Sequence, residues 1–339
     1  MKRTLTLLTA ALLAGTGHAA DSTALQKIKE YLPELHGTIR GKYEYQPQIN
    51  AGRFQVRNAR FSLSGNVTRY TEYKAEIDLS EEGKIKMKDA FARLKPVDWG
   101  SITMGQMRVP FTIDAHRSPH SQYFANRSFI AKQVGDVRDV GATLAYTPKN
   151  LPLVVEAGIF NGSGLAEQQS WHKEVNYSAK VQVFPLKVWN ITFSVQKIKP
   201  AGTTTHMFDV GTYVEWGRWH VEAEYLYKHY AHDAFSDVNA FNAFVNYDIP
   251  TRGFFHKVSL LARYDMMDDH WDGLTLDDNG RAVTTDYARQ RITGGVTLSI
   301  GKPFLSDIRL NYEKYFYRDG GVPLESEQDK LCLELMVRF

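Results

Sequence analysis

The last eleven residues carry the pattern that most restricts how this chain of 339 residues can fold. Between Asp329 and Phe339, leucines at 331, 333 and 335, Val337 and Phe339 occupy every second position, and Glu334 and Arg338 are among the residues between them. A side-chain period of two is the pattern of a β-strand whose two faces meet different surroundings. The segment therefore predicts a strand with one apolar and one more polar face, which ends on an aromatic residue.

The first 20 residues have the organisation of a secretory signal peptide. Lys2 and Arg3 precede the apolar run 5–14, and small residues follow up to Ala20. This order is typical of a signal peptide that is cleaved after the small residues, here after Ala19 or Ala20. We therefore expect export of the mature chain. Residues 21–34 form a short lead-in with leucines at helical spacing, and a periplasmic position is expected for it.

Composition narrows the class of exported protein. No stretch after the signal peptide reaches the run of about 18 apolar residues that a membrane-spanning helix needs. The mean hydropathy is −0.37 although Tyr, Phe and Trp are abundant. A β-barrel combines these properties, because only every second strand residue meets lipid. The balance of 41 basic against 38 acidic residues argues against nucleic acid as a partner, and the single cysteine, Cys332, allows no intramolecular disulfide.

Stretches with strand character follow one another through the chain, and the links between them alternate in length. This alternation predicts an up-and-down transmembrane barrel of about 16 antiparallel strands over 35–339, with both chain ends on the periplasmic side. A soluble two-sheet sandwich is the alternative, but it gives no reason for the alternation. The predicted strands are 35–47, 53–66, 70–80, 84–95, 99–109, 138–147, 152–161, 174–184, 188–199, 206–216, 219–230, 237–248, 255–267, 285–300, 305–316 and 328–339.

The carboxyl-terminal strand resembles the closing strand of bacterial outer-membrane barrels. In those proteins the terminal aromatic residue is the signal that the barrel-assembly machinery reads, and the resemblance gives this role to Phe339. It also implies outer-membrane lipid and lipopolysaccharide as surroundings, in a Gram-negative bacterium.

The longest stretch without strand character, 110–137, follows the fifth predicted strand and is therefore the third outer link. Its apolar residues are too numerous for a loop left in solvent, so we expect it to fold against the inner wall. A barrel of about 16 strands encloses an aqueous lumen, and such a loop would set its bore. The apolar residues are Phe111, Ile113, Tyr123, Phe124, Phe129 and Ile130.

Five segments in this half of the chain resemble, in order and spacing, the motifs of the phosphate-selective porin O and P family. The resemblance covers roughly residues 35 to 162, and the rest of the chain matches in strand rhythm and in the final Phe. It implies a sixteen-stranded trimeric porin whose third loop folds into the pore and whose basic residues line a path for anions. The segments are 53–65, 87–91, 105–111, 138–141 and 158–162.

Strand parity and the third loop give a set of candidate residues for the anion path. A bulge near Asn58 would bring the three arginines of the second strand to the lumen side. Arginine suits this role because its guanidinium binds phosphate in a bidentate way and stays charged. The predicted function is passive diffusion of small anions, with phosphate or polyanions preferred and without enzymatic activity, metal or cofactor. The candidates are Arg53, Arg57, Arg60, Lys86, Lys88, Arg108, Arg117, Arg127, Lys132, Arg138, Arg263, Arg289, Arg291 and Arg309.

Three other functions remain open at this stage. Acidic residues, among them Glu156, Asp209, Glu222 and Glu224, share the inward parity, which favours a general or cation-preferring porin. Clusters of histidine and aspartate, such as the group around Asp268, are compatible with an outer-membrane hydrolase, but no Gly-x-Ser-x-Gly nucleophile motif accompanies them. A structural or adhesive barrel would be expected to have longer outer loops.

Overall fold

The computed structural model describes residues 31–134, 138–165, 168–301, 305–318 and 320–339. The expected signal peptide and most of the expected lead-in, residues 21–30, lie outside the described residues. The first strand begins at Glu34, one residue before the predicted start.

The described residues form one closed barrel of sixteen antiparallel strands, in which each strand pairs with its neighbours in the sequence and the last closes on the first. This confirms the predicted architecture. The strands are β1 (Glu34–Gln46), β2 (Ala51–Thr68), β3 (Thr71–Glu81), β4 (Lys84–Val97), β5 (Gly100–Arg108), β6 (Arg138–Tyr146), β7 (Leu153–Phe160), β8 (Asn176–Leu186), β9 (Trp189–Ile198), β10 (Thr205–Trp216), β11 (Trp219–Tyr230), β12 (Val238–Pro250), β13 (Lys257–Met267), β14 (Arg289–Ile300), β15 (Leu305–Tyr317) and β16 (Lys330–Arg338).

The two faces of β16 show how the sequence pattern produces the barrel. Leu331, Leu333 and Leu335 are exposed on the outer face, whereas Glu334 and Met336 are fully buried on the inner face. Exposed apolar and buried polar side chains reverse the arrangement of a soluble sheet, and lipid outside with a polar interior accounts for that reversal.

The links between strands alternate as predicted. Tight turns such as 217–218 lie on the side of the chain ends, which is the periplasmic side in barrels of this type, and the longest links, 109–137 and 268–288, lie on the other side. Two outer links, 47–50 and 82–83, are as short as the inner turns. The alternation therefore holds as a tendency along the chain.

Closure of the barrel places Phe339 against β1. The backbone N–H and C=O of Phe339 exchange hydrogen bonds of 3.1 and 2.8 Å with Gly37. The Phe339 ring occupies the space in which a Cβ on Gly37 would stand, 2.2 Å from the nearest ring atom. Gly37 thus has no side chain at the position where the terminal aromatic ring packs.

Within the described part of the chain from β1 onward, the helical segments are short pieces of the links. They are three 3₁₀ turns at Pro119–Ser121, Pro200–Gly202 and Ala231–Asp233, and one π-helical turn at Ile130–Val134. None of the helical segments in the described ranges is long and apolar enough to cross a membrane.

Candidate functional site: the lumen and the third outer loop

The third outer loop, residues 109–134 in the described part, begins by crossing the buried faces of β8, β9 and β11. The Pro110 carbonyl accepts a hydrogen bond of 2.9 Å from Ser178. The Thr112 N–H donates to the Ser194 hydroxyl over 3.1 Å, and the Asp114 N–H donates to Glu224 over 3.3 Å. Strand side chains thus satisfy backbone groups of the loop that would otherwise be buried without partners.

The second half of the loop is hydrogen-bonded to a different group of strands, β13, β14, β15 and β1. The Ala125 N–H donates to Asn311 over 2.8 Å, and the Ala125 carbonyl accepts from Arg40 over 2.8 Å. The carbonyls of Asn126 and Arg127 accept hydrogen bonds of 2.9 and 2.7 Å from Arg263 and Arg291.

Two arginines in or next to the third loop donate hydrogen bonds to backbone carbonyls of that loop. The Arg108 guanidinium donates to the carbonyls of Ala115, His116 and Arg117 over 3.2, 2.8 and 2.8 Å. Arg127 donates to the carbonyls of Asp114 and Arg117, both over 2.7 Å. A guanidinium offers five N–H donors in a fixed fork, so one side chain can hold several carbonyls. Both arginines were candidates for the anion path, and the structure gives each of them carbonyl partners within the loop.

Two carboxylates hold Arg117 in place. Its guanidinium binds Glu222 over 2.5 Å and Asp114 over 3.2 Å. Asp114 also accepts hydrogen bonds of 3.1 and 2.7 Å from the backbone N–H and the hydroxyl of Ser128. Burial by itself raises the pKa of Asp114, but the charges of Arg117 and Arg127 outweigh it and hold that pKa at about 2. Asp114 is therefore ionised at neutral pH.

Apolar side chains from the loop and the strands form a packed cluster inside the barrel. Phe111, Phe129 and Ile130 of the loop are essentially unexposed, as is Trp271 of the link 268–288. Strand residues complete the cluster: Met107, Phe160, Ile198, Met207, Leu226, Tyr230, Val238, Ala240, Met267 and Tyr315. The interior next to these strands is therefore filled with side chains.

Inner-face side chains keep solvent exposure along β2, β3 and β4. Arg53, Lys74 and Arg93 have 55, 30 and 35 % of their side-chain surface exposed. By contrast, Thr192 on β9 and Glu313 on β15 have none of their surface exposed. The inner faces of β2 to β4 therefore belong to the accessible part of the lumen wall.

Several candidate bases on this open wall are paired with carboxylates. Arg60 binds Asp78 over 2.8 Å and Glu76 over 3.3 Å. Arg138 binds Asp89 over 2.8 Å and also reaches Glu76, over 3.2 Å. The two arginines and three carboxylates form one network, in which Glu76 joins the guanidinium groups.

Arg57 and Lys88 differ from their neighbours, because neither side chain makes a hydrogen bond or an ion pair with any residue that the structure describes. Arg57 stands at the bulge in β2, where the register with β1 skips between Val56 and Asn58. It lies close to Arg40 and Lys42, and Lys88 lies close to Arg60, Lys86 and Arg138 and also to Asp78. Both side chains are half-buried. They add positive charge beside a network in which the arginines are matched by carboxylates.

The remaining candidates are distributed around the barrel and have acidic partners. On β14 and β15, the buried Arg289 pairs with Asp286, Arg291 with Asp265, and Arg309 with Glu334. On β13, Arg263 also pairs with Asp265, and on β2, Arg53 pairs with Glu44. Toward the outer end, Lys86 pairs with Glu81 and Lys132 with Glu327.

Sequence reasoning did not select Arg40, Lys42 and Lys74, which also face the interior. Arg40 binds Glu334 over 2.6 Å, and Lys74 binds Asp89 over 2.6 Å. Their signal was present in the sequence, since charged residues recur at every second position at 40–44 and 74–78.

Comparisons with known proteins agree with this architecture. OprB of Pseudomonas putida, in its high-pH structure, has a TM-score of 0.64 at 11 % identity, over 94 % of this chain and 96 % of that chain. An anion-selective porin from Comamonas acidovorans has a TM-score of 0.62 at 12 % identity, over 91 and 99 %. In-vitro folded OmpT of Vibrio cholerae, in its trimer form, has a TM-score of 0.61 at 12 % identity, over 91 and 98 %. These likenesses concern the fold.

Sequence comparison identifies the family. No curated protein sequence gives a significant match. The family model for phosphate-selective porin O and P matches residues 36–235, which is more than half of the chain. The resemblance found in the sequence motifs is thereby confirmed, and the chain belongs to the phosphate-selective porin O and P family of outer-membrane porins.

Proposed function

We propose that the protein allows passive diffusion of small anions, with a preference for phosphate-like ions, between the third loop and the wall formed by β2 to β4. The observation that carries this proposal is the position of Arg57 and Lys88. Their side chains form no ion pair with a described residue, and they lie beside the basic side chains of Arg40, Arg60 and Arg138, with Asp78 as the acidic neighbour of Lys88.

Electrostatic magnitudes support an anion path at these residues. A pair of unit charges 4 Å apart interacts with roughly 4 kcal/mol at an effective dielectric constant near 20. An arginine that already faces a carboxylate offers a passing anion little net attraction. An arginine without such a partner offers most of this interaction energy. Conduction requires entry to be favourable and exit to remain fast, which a row of weak sites provides better than one tight cage.

The proposed surroundings rest on the family and on the neighbours' descriptions. One structural neighbour is described as an anion-selective porin and another as a trimer. We infer the same kind of three-fold assembly for this chain, in the outer membrane of a Gram-negative bacterium. Reading of Phe339 by the barrel-assembly machinery and contact with lipopolysaccharide stay predictions.

Reversal potentials in planar bilayers under a KCl gradient test the proposal. We expect the wild-type channel to prefer anions, and we expect Arg57→Gln combined with Lys88→Gln to lower the anion-to-cation permeability ratio severalfold. Added phosphate should reduce the chloride current of the wild type more than that of the double variant. Arg252→Gln, in an exposed periplasmic turn, is the matched control and should change neither value. A wild-type reversal potential that favours cations would contradict the proposal and support a general or cation-preferring porin.

A further inference from the structure

A cavity of about 190 Å³ lies at the periplasmic ends of β12 to β15, below the 3₁₀ turn of the third loop. Tyr123, Leu261 and Leu305 form the apolar part of its lining, and Lys257, Thr297 and Arg309 are among its polar residues. Above it, the Phe124 and Phe244 rings meet edge to face at 5.5 Å and pack with Leu261. The cavity, here called the periplasmic pocket, is thus closed on its outer side and lies away from the wall formed by β2 to β4.

Two buried polar atoms of the periplasmic pocket lack a hydrogen-bond partner among the described residues: the Thr297 hydroxyl oxygen and Arg309 Nε. Only 5 % of Thr297 and 2 % of Arg309 are exposed. The other guanidinium nitrogens of Arg309 bind Glu334 over 2.7 Å and Asp307 over 3.0 Å. A buried polar group without a partner is costly, and such groups call for an explanation. A bound group that accepts hydrogen bonds would satisfy both atoms.

The carboxylates of this region are already engaged. Asp307 accepts from Ser299 over 2.7 Å as well as from Arg309, and Asp248 accepts from Lys257 over 2.9 Å. The Lys257 ammonium has three donors and spends one on Asp248. The polar side of the periplasmic pocket therefore offers N–H and O–H donors, and the facing side offers the Tyr123 ring and aliphatic surface.

Size and chemistry together define the ligand. An apolar cavity of about 150 Å³ binds benzene, so the periplasmic pocket has room for a ring and one carboxylate. We propose that it binds small organic carboxylates about the size of benzoate. The carboxylate lies toward Arg309, Thr297 and Lys257, and the apolar body lies against Tyr123 and Leu261. This inference does not depend on the proposed anion path, because the periplasmic pocket lies at β12 to β15 and the path lies along β2 to β4.

Calorimetric titration of the full-length protein in detergent, at constant ionic strength, tests the pocket with sodium benzoate as the probe. We expect saturable binding of benzoate. Benzyl alcohol lacks the charge, and loss of one charged hydrogen bond implies about tenfold or more weaker binding. Inorganic phosphate lacks the apolar body, whose burial contributes a similar amount, so it should also bind about tenfold or more weakly. Absence of saturable benzoate binding, or binding of benzyl alcohol or phosphate as tight as that of benzoate, would overturn the proposal.

Two variants separate binding from folding. Lys257→Met should weaken benzoate binding about tenfold, whereas Lys187→Met, in another exposed periplasmic turn, should leave it unchanged.

Thr297→Val replaces an unpartnered hydroxyl by a methyl group, so it should weaken benzoate binding and yet raise the thermal unfolding temperature of the ligand-free protein. A purely structural Thr297 would lower that temperature on substitution, and this result would contradict the proposal. Benzoate binding and thermal unfolding are measured without channel current. A negative result in either one therefore leaves the reversal-potential test of the anion path unaffected.

Discussion

The Arg117 guanidinium joins the third loop to the barrel wall through Glu222, a carboxylate with no exposed surface. Removing one member of a buried ion pair leaves the other charge without compensation, which typically costs about 3–5 kcal/mol. We expect Glu222→Gln to lower the free energy of unfolding by about 3 kcal/mol, measured by urea denaturation in detergent.

The matched control for this ion pair is Lys149→Gln. Lys149 and Asp98 form a pair of 2.5 Å whose side chains are 69 and 77 % exposed, and solvent screens such pairs. We expect little change in stability from this substitution. Equal effects of the two substitutions would show that the Arg117 contact does not stabilise the fold.

Two histidines make the packing of the third loop sensitive to pH. Burial lowers the pKa of His116 well below its usual value, and the charges of Lys180 and Arg108 lower it further. Burial, with the charge of Arg338, lowers the pKa of His120 to about 4. Both groups are neutral at pH 7, and protonating either of them introduces a charge into a basic, poorly hydrated site.

The sign of the pH effect follows from proton counting. Between pH 6.5, near the pKa of an unfolded histidine, and pH 4, the unfolded chain binds more protons than the folded one, so stability increases with pH in this window. We expect the thermal unfolding temperature to fall as the pH is lowered from 7 to 4.5. The fall should be smaller in a variant with His116→Gln and His120→Gln, and His232→Gln, at an exposed outer site, should behave as the wild type. A double variant with the wild-type pH profile would rule these histidines out.

At the scale of elements, the third loop is held mainly by donors to its backbone. Arg108 alone supplies hydrogen bonds to three consecutive carbonyls, at 115 to 117. We expect Arg108→Met to leave the barrel folded and to free this part of the loop. Hydrogen exchange at the amides of 112–118, followed by mass spectrometry, should become faster, and single-channel currents should fluctuate more.

The control for the loop is Arg252→Met, an exposed arginine in a periplasmic turn. It should alter neither exchange nor current. Unchanged exchange in Arg108→Met would mean that the strand contacts at Ser178, Ser194 and Glu224 suffice to hold the first half of the loop.

Element boundaries were predictable where the side-chain pattern is local. Most strands begin and end within a few residues of the prediction, because alternation depends only on neighbouring residues. The start of β14 is an exception: the strand begins at Arg289 and not at 285. Asp286 instead forms an isolated bridge with His270 in the outer link. That contact joins two residues of the link that are 16 positions apart, so no local pattern encodes it.

At the scale of the whole molecule, the interior is asymmetric. The third loop and its apolar cluster cover much of the inner faces of β9 to β15, apart from the periplasmic pocket, and β2 to β4 remain accessible. Cysteine labelling tests this in a Cys332→Ser background, since the one native cysteine is buried. A negatively charged thiosulfonate reagent should reduce the current of Ser62→Cys, because Ser62 faces the lumen and is half-buried. It should not affect Thr192→Cys, since Thr192 has no exposed surface. Equal reactivity at both positions would contradict the asymmetry.

The sequence by itself determined the sixteen-stranded barrel, the identity of the inner face and the family, because these depend on a local period of two and on motifs a few residues long. Only the tertiary structure decided which basic residues have acidic partners. Arg40 and Glu334 are 294 positions apart, and they meet because β1 closes on β16. Pairing across such distances depends on barrel closure and on the path of the third loop, so the unpaired state of Arg57 and Lys88 is visible only after the chain has folded.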